Sequence, residues 1–583
     1  MSRRDVYIDF YLLCYNLLLY NEIATDGEVL SKQEAIKEKG LMFFRFQLIV
    51  LVGVSLCAAA LVIMAGGCSK EYHKADADKE VYKIIDSKWQ EGFGQKVNYT
   101  ISDVPGSPND IQIEKAVPPS RTINLTQAVA MATAHNREYQ RQKEELYLSA
   151  LDLTLVRHDF ATKWLGTFDG TYTRYTDDNT LEKDETLKYE GELGFKQLLA
   201  DGAQISASIA YDWLRYLTGD PRASIGSVLS ATLTQPLLRG SGRKVVQEKL
   251  TQTERETLYQ IRAFNRYRKT FVASIVNDYY RVLQRRDEVT NAENDYKRRL
   301  ESKERLDMEA DAGIRPPFEV DQAEQEVLGA RDGYVRARQT YKQQLDEFKI
   351  RLALPTDANV VLDQNELKAL EKIGISEPEY ALDTAIETAL IRRLDLATSM
   401  DRIDDALRKV MVAADGLGPE LDFVGSLKVG STPETDYSRL QFHHGTYSFG
   451  LIADLPFDRK AERNAYRKAL IGLQQQRRAY EDFTDTVKLQ VRQAYRQLEE
   501  AAERYHIQKS NLELAEKRVE STSMLLEAGR AATRDLLESQ DALLEAQNNV
   551  TDALVAHLVA KLNFFQDIGI LQVRPDGMWE QKI

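Results

Sequence analysis

One uninterrupted stretch of helix-forming sequence constrains this chain more than any other feature. From Arg243 to Met308 there is neither proline nor glycine, the residues that most often break a helix. The apolar residues of the stretch recur at spacings of three, four and seven: Ile261, Phe264, Phe271, Ile275, Tyr279 and Val282. At a rise of about 1.5 Å per residue, such a helix is about 100 Å long. A single compact domain has no room for it, so the sequence predicts an elongated architecture.

A second stretch, from about Ala461 to Glu527, has the same character. Its apolar stripe consists of Phe483, Val487, Val491, Tyr495 and Leu498. Each long helix is followed by a short break, Gly313–Pro317 or Gly529–Thr533, and then by about 35 residues that again favour a helix. The sequence therefore predicts two helical hairpins with coiled-coil packing.

The two hairpins belong to an internal repeat. Matching positions lie 257, 215 and 216 residues apart: Leu125–Ala132 with Leu382–Ala389, Tyr280 with Tyr495, and Gly313 with Gly529. A repeat of this size concerns the whole fold. Because the offset falls from 257 to 216, about 41 extra residues must lie in the first copy, between its opening helix and its long helix.

In that region the hydrophobic period changes to two. Apolar residues alternate there with polar or small ones: Ile205, Ala207, Ile209, Tyr211 and Trp213. This alternation predicts a strand with one apolar and one polar face. Similar segments occur near 166–176, 188–198 and 227–235, but the second copy has only two, near 420–430 and 446–456. The first copy is therefore predicted to carry an additional hairpin.

The N-terminal region carries an export signal. Met42 begins a short basic segment that is followed by an apolar run from Leu48 to Met64 and by Ala-Gly-Gly-Cys, which ends at Cys68. This is the layout of a secretory signal. Because it ends on cysteine, it resembles a lipoprotein signal, in which Cys68 becomes the lipidated first residue of the mature protein. A transmembrane anchor is the alternative, since about 17 to 20 apolar residues span a bilayer.

Strands with two unlike faces, on a chain with a bacterial export signal, suit a membrane barrel. A lipid-facing strand takes about nine to eleven residues. Four to six strands per chain are too few to close a pore, because closed barrels begin at about eight. The sequence therefore predicts that several copies assemble.

Composition and motifs argue against other functional classes, such as nucleic-acid-binding proteins, metalloproteins and enzymes. The chain has 77 Lys and Arg against 90 Asp and Glu, a net charge of −13, and no basic cluster, so nucleic acid is not a predicted partner. His443-His444 lies in a predicted surface loop without Cys or Met nearby, so no metal site is predicted. The segment 239–244 lacks the spacing of a phosphate loop and is interpreted as a strand-to-helix turn. No catalytic motif occurs, and the chain is not predicted to be an enzyme.

Two duplicated segment types resemble the outer membrane factor family, also called the outer membrane efflux protein family (TolC-like). Thr234–Gly240 resembles the family's strand-to-helix junction, and Asp454–Asp458 is its counterpart in the second copy. The tip that begins at Gly529 resembles the family pattern of glycine followed by acidic residues six and nine positions later, here Asp535 and Glu538. The resemblance covers about 450 residues, roughly 123–353 and 380–573.

The resemblance implies a mainly α fold with a transmembrane β part, in which three protomers share a β-barrel and a periplasmic α-helical coiled-coil barrel. It implies an exit duct of a tripartite efflux or type I secretion system, in the bacterial outer membrane. The implied partners are two further copies, outer membrane lipid, a periplasmic adaptor and, indirectly, an inner-membrane pump. No cofactor is implied, apart from covalent lipid on Cys68.

The resemblance also assigns site residues. The hairpin tips would contact the adaptor: Gly313, Ile314, Arg315, Gly529, Arg530 and Ala531. Asp535 and Glu538 would ring the periplasmic entrance, whereas the alternative is that they only favour the N-terminal end of their helix. This chain departs from the family pattern at Glu538, where the family has Asp, and at Pro316-Pro317 in the first tip. These departures bear on how tightly the entrance closes and on which adaptor it accepts.

The predicted segments follow in chain order. They are a doubtful N-terminal extension (1–41, with Met42 as the true start), a lipoprotein signal peptide (42–67), a lipid tether (68–120), repeat 1 (121–360), a linker (361–379), repeat 2 (380–573) and a C-terminal tail (574–583). The alternative to an exit duct is a periplasmic adaptor or structural coiled-coil lipoprotein. An adaptor would have one helical hairpin between β modules, whereas this sequence predicts two hairpins, each preceded by strands.

Overall fold

The structure is a computed structural model that describes residues 69–90, 93, 96, 99–101, 121–176, 183–216, 223–375, 380–432, 436–455, 457–574 and 579–581. The chain divides into two units, Met1–Lys79 and Glu80–Ile583. Of the first unit only residues 69–79 are described, and they hold the start of a helix. All later elements belong to the second unit.

Long helices dominate the described residues. The helices are α1 (Lys70–Lys88), α2 (Leu125–His135), α3 (Arg137–Asp159), α4 (Arg243–Val246), α5 (Glu248–Asp311), α6 (Pro317–Arg351), α7 (Asn365–Ile373), α8 (Leu382–Arg392), α9 (Leu394–Asp415), α10 (Lys460–Glu527) and α11 (Thr533–Asp567). The strands are β1 (Thr122–Ile123), β2 (Lys163–Thr176), β3 (Lys183–Leu198), β4 (Gln204–Tyr216), β5 (Ala223–Pro236), β6 (Val361–Leu362), β7 (Glu420–Thr432), β8 (Asp436–Leu440), β9 (Thr446–Asp454), β10 (Leu571–Val573) and β11 (Trp579–Gln581).

The helices follow the predicted duplication. Opening helices α2 and α8 have 11 residues each. Long helices α5 and α10 have 64 and 68 residues, and returning helices α6 and α11 have 35 each. The opening helices are followed by α3 and α9, of 23 and 22 residues, which the sequence patterns did not single out. The predicted fold class, mainly α with a two-faced sheet and a duplicated strand and helical-hairpin unit, is confirmed in these elements.

The apolar stripe of α5 lies in the core. Ile261, Phe264 and Tyr279 are at most 2% exposed, because one face of the helix packs against α3, α2 and α11. Charged residues fill the opposite face, and none of the described helices is long and apolar enough to cross a bilayer. The helix begins at Glu248 rather than at Arg243, because Gln247 leaves the helical conformation at φ −89° and ψ 7°.

Six long strands form one antiparallel sheet in the order β2, β3, β4, β5, β7, β9. The five-residue β8 pairs only with the end of β7, at Ser431 and Thr432. The two repeats join where β5 pairs with β7, from Val228 opposite Gly430 to Pro236 opposite Asp422. The additional hairpin predicted for the first copy is therefore part of this sheet.

The core lies where the opening helices meet the long helices. Tyr279 is completely buried and donates a hydrogen bond of 3.1 Å to the carbonyl oxygen of Ile123 in β1. Strand β1 pairs in parallel with β6, which belongs to the predicted linker 361–379, and α7 follows directly. Full burial of a large apolar side chain contributes about 1.5–3 kcal/mol, so this region anchors both repeats.

Candidate functional site

The sheet has one apolar and one polar face, as the period of two predicts. Directly opposed residues lie on the same face, and the register places the following on one side: Trp164, Phe168, Tyr172, Leu187, Tyr189, Leu193, Phe195, Ile205, Ile209, Tyr211, Trp213, Ile225, Leu229, Leu233, Phe423, Leu427, Val429, Tyr447, Phe449 and Leu451. Trp164, Phe168 and Phe449 are 72%, 78% and 76% exposed. A continuous exposed apolar surface that extends over six strands marks an interaction with lipid or with another protein.

Aromatic rings stack across the apolar face. The ring centroids of Phe168 and Tyr189 are 5.9 Å apart, and those of Tyr189 and Trp213 are 5.4 Å apart, with interplanar angles of 20° and 27°. Cross-strand aromatic pairs stabilise a sheet and fix its register. The stack therefore ties the additional hairpin to β4.

The polar face carries carboxylates in one cross-strand row. Asp169 lies opposite Glu190, and Glu190 lies opposite Asp212. Lys188 forms an ion pair with Glu190. Like charges directly opposite one another destabilise a sheet unless water screens them. This face of the sheet is therefore built for contact with water.

The strand-to-helix junction predicted at Thr234–Gly240 joins the two repeats. Gly240 and Gly242 have φ values of +75° and +88°, which L-residues rarely adopt. The backbone N–H of Gly240 donates a hydrogen bond of 2.8 Å to the carboxylate of Asp415, and Arg239 forms an ion pair with Glu420. Residues 239–242 thus form a turn between strand and helix, as predicted, and the helix α4 begins at Arg243.

The first hairpin tip exposes an apolar surface. Gly313 turns the chain at φ +76°, and Ile314 and Phe318 beside it are 71% and 66% exposed. The side chain of Arg315 behaves differently, because it is only 14% exposed. It binds Glu309 at 3.1 Å and Glu319 at 3.4 Å, so its charge is satisfied within the tip.

The two tips are joined by hydrogen bonds. Arg315 donates to the carbonyl oxygen of Leu526 at 2.9 Å, and the hydroxyl of Thr533 donates to Glu319 at 2.5 Å. Arg305 adds an exposed ion pair with Glu527 at 2.9 Å. Sequence reasoning placed Arg315 only at the adaptor, because Leu526, which it contacts across the gap, lies in the other hairpin.

At the second tip, Gly529 turns the chain at φ +70°. Asp535 accepts a hydrogen bond of 2.9 Å from the backbone N–H of Ala532, which caps the start of α11. This is the N-terminal role considered as the alternative for Asp535. Glu538 lies one turn further, is exposed, and approaches Arg518 to 3.6 Å. Both carboxylates share the exposed face of α11, and the entrance ring stays a prediction.

A buried ion-pair cluster lies further along the hairpins. Arg299 is 3% exposed and binds Asp295 at 2.8 Å, Glu326 at 2.8 Å and Asp541. Burial lowers the pKa of Arg299, the carboxylates of Asp295 and Asp541 raise it, and the net change is upward. The cluster connects α5, α6 and α11, so it holds the two hairpins in register. Sequence reasoning missed it, although the spacing of four between Asp295 and Arg299 was a visible signal.

The remaining predicted positions carry no site in the described residues. Cys68, with the signal and the start of the tether, lies outside them. His443 and His444 are exposed in a short 3-10 turn between β8 and β9. Within the described part of the chain, no group of His, Cys, Asp and Glu has the geometry to hold a metal ion.

The fold is that of solved outer-membrane channels. CusC, whose crystal structures concern folding and transmembrane channel formation, matches with a TM-score of 0.56 and 13% identity over 80% of this chain and 97% of that chain. VceC of Vibrio cholerae matches with a TM-score of 0.56 and 12% identity over 76% and 96%. The open-state MtrE channel of Neisseria gonorrhoeae matches with a TM-score of 0.54 and 12% identity over 76% and 88%.

The family resemblance is confirmed as well. Residues 385–566, which comprise most of the second repeat, match the outer membrane efflux protein family. Comparison with curated proteins gives no match. The segment that carries the duplicated tip and the returning helix is thus an outer membrane efflux protein domain.

Proposed function

We propose that this chain forms a trimeric, lipid-anchored channel of the bacterial outer membrane and serves as the exit duct of a tripartite efflux or type I secretion system. Transport through it is passive, and an inner-membrane pump supplies the energy. The single observation that carries the proposal is the two-faced sheet, which continues through its strand-to-helix junctions into two long helical hairpins. The family match of residues 385–566 and the fold of the solved channels support the same conclusion.

The sheet suits a membrane wall. Its apolar face is contributed by strands of nine residues or more, which is enough to span the hydrocarbon layer. Its polar face carries Asp169, Glu190 and Asp212, which require water. Lipid on one side and a water-filled lumen on the other satisfy both faces.

Unpartnered apolar residues on the helices support assembly with further copies. Four helices carry exposed pairs seven residues apart, each residue 54 to 65% exposed: Leu148 and Leu155, Leu328 and Val335, Met400 and Leu407, and Ile507 and Leu514. A spacing of seven is that of a coiled-coil seam, in which each side chain inserts between residues of a neighbouring helix. The chain's own helices leave these seams open, and two further copies would cover them.

The tips suit a protein partner. Gly313, Ile314, Gly529 and Arg530 are exposed, and Ala531 is half-buried. We assign these residues, with the backbone of Arg315, to contact with a periplasmic adaptor. Asp535 and Glu538 are assigned to the periplasmic entrance, where three copies of each would create a negative potential that favours cations.

The alternative, a periplasmic adaptor or structural coiled-coil lipoprotein, fits less well. It accounts for a helical hairpin and for export. It gives no role to a six-stranded sheet with an exposed aromatic face, and the matched family is one of channels.

The proposal is tested by native mass spectrometry of the full-length protein extracted in detergent from outer membranes. The expected result is a trimer whose protomer begins at a triacylated Cys68. The Cys68→Ser variant is the matched control, and it should lack the lipid mass. A soluble monomer, or an inner-membrane protein with an intact N-terminus, would contradict the proposal.

A further inference from the structure

The additional hairpin of the first copy, β2 and β3, is fully built into the sheet. Residues Lys163–Thr176 of β2 pair with β3 along their whole length, and β3 pairs with β4 from Thr186 to Leu198. The pairing contains no bulge, and the aromatic stack runs from Phe168 through Tyr189 to Trp213 across it. Each chain therefore presents six long strands in one continuous sheet.

Each of these strands is long enough to cross a membrane. The strands β2, β3, β4, β5 and β7 have 13 to 16 residues, and β9 has nine. Outward-facing strands need about nine to eleven residues for this purpose. The five-residue β8 is too short, and it only extends the end of β7.

The two outer strands of the sheet are open. Among the described residues, β2 pairs only with β3, and β9 pairs with β7 alone. An open edge exposes unpaired N–H and C=O groups, which cannot remain in hydrocarbon. The edge therefore requires another strand, and the structure offers a suitable one in a second copy of the chain.

We propose that β9 of one protomer pairs with β2 of the next, so that three copies close an 18-stranded barrel. This inference rests on the proposed trimeric channel. Because six is an even number, β9 runs antiparallel to the next β2, and the alternation continues around the ring. The faces also match, since Phe449 of β9 and Phe168 of β2 lie on the same apolar face.

The strand number sets the width of the duct. With strands about 4.8 Å apart and tilted by about 40°, 18 strands enclose a backbone diameter of about 36 Å, whereas 12 strands enclose about 24 Å. Barrels of 16 to 18 strands leave an aqueous channel. The row of Asp169, Glu190 and Asp212 would then line a wide, water-filled lumen in three copies.

Cysteine cross-linking of the full-length protein tests the edge pairing. Ser448→Cys in β9 is combined in turn with Thr167→Cys, Thr171→Cys or Thr173→Cys in β2, all on the polar face, with Cys14 and Cys57 replaced by serine and Cys68 kept. The three positions sample different registers of β9 against β2. Oxidation of the correct pair should give a covalent trimer on a non-reducing gel, and reduction should restore the monomer.

The matched control combines Ser448→Cys with Ser206→Cys or Ser208→Cys in β4, which is β9's neighbour only if the β2–β3 hairpin lies outside the barrel. A covalent trimer from these pairs would overturn the inference and leave the trimeric channel standing. A cross-section of the trimer by electron cryomicroscopy decides the case in which no pair cross-links, since a barrel about 24 Å across contradicts 18 strands. A protein that is not trimeric would instead remove the proposed channel itself.

Discussion

Arg315 in the first hairpin tip donates a hydrogen bond of 2.9 Å to the carbonyl oxygen of Leu526, in the last turn of the long helix of the second hairpin. The same guanidinium binds Glu319, which accepts a hydrogen bond from Thr533 across the same gap. One largely buried side chain thus joins the two tips. These hydrogen bonds link the start of the returning helix α6 to the start of α11, where Asp535 and Glu538 lie.

We expect Arg315→Ala to separate the two tips. The substitution removes hydrogen bonds that involve a charged group, each of which contributes about 1.5–3 kcal/mol. Limited proteolysis of the detergent-solubilised protein should show faster cleavage near 313 and 529 than in the wild type. Arg530→Ala is the matched control, because that residue is exposed at the other tip and should leave the cleavage rate unchanged. Equal cleavage of the Arg315 variant and the wild type would contradict the joining role.

Arg299→Ala should destabilise the hairpins by about 3 to 5 kcal/mol, because removal of one partner leaves the buried Asp295 without its main counter-charge. The decrease is measured as a lower Tm in detergent. Lys297→Ala, two residues away, removes only an exposed ion pair with Glu293 and should leave Tm almost unchanged, because water screens such a pair. If the two variants had the same Tm, the ion pairs of Arg299 would contribute no more to stability than an exposed pair.

The free energy of unfolding should depend on pH through the titration of Lys269. Burial, with help from Arg268 and Arg392, lowers the pKa of Lys269 from 10.5 to about 8. Below pH 8 the lysine is charged in both states, and burial of the charge costs stability. As pH rises from about 8 to about 10.5, the unfolded state holds more protons than the folded state, so stability increases.

Lys269→Met should therefore raise Tm relative to the wild type at pH 7, and the difference should shrink at pH 10. Thermal melts in the same detergent at both values provide the measurement. Lys517→Met is the control, since Lys517 is exposed on α10. If the difference in Tm between Lys269→Met and the wild type were the same at pH 7 and pH 10, the charge of Lys269 would not be what destabilises the folded state.

Gly313→Ala and Gly529→Ala should each destabilise the chain by about 1–2 kcal/mol, because both glycines have positive φ. No atom lies within 4 Å of a Cβ added at either position, so the effect comes from the backbone alone. Gly329→Ala has equally open surroundings but lies within helix α6. That control should raise stability by about 0.5–1 kcal/mol, and the opposite signs of the two effects on Tm check the argument.

Phe168→Lys should impair folding into the outer membrane by about 2–4 kcal/mol, because it places a charge on the lipid side of the sheet. Thr167→Lys, on the adjacent polar face, should be tolerated. The fraction of heat-modifiable, folded protein in isolated outer membranes distinguishes the two variants. Equal folded fractions of the two variants would contradict the assignment of Phe168 to the lipid side of the sheet.

Local patterns predicted most of the helices and strands. The periodicity of Ile261, Phe264 and Tyr279 predicts which face of α5 is buried. Gly313 and Gly529 predict the positions of the two hairpin turns, and both glycines lie in turns in the structure. The patterns did not reveal β8, which has only five residues, or the pairing of β1 with β6. The division into α2 and α3 was also missed. There Asn136 ends one helix, and its side chain caps the next by accepting hydrogen bonds from Glu138 and Tyr139.

The duplicated hairpins, the alternating strands and the family resemblance follow from the amino-acid sequence alone, because each depends on residues close together in the chain. The contacts between distant segments follow only from the fold. The order of the six strands, the place of the β2–β3 hairpin within the sheet, and the contacts of Arg299 with Asp541 and of Arg315 with Leu526 all join residues that spacing alone does not bring together. Such contacts depend on how the helices and strands pack, and packing is a property of the whole chain.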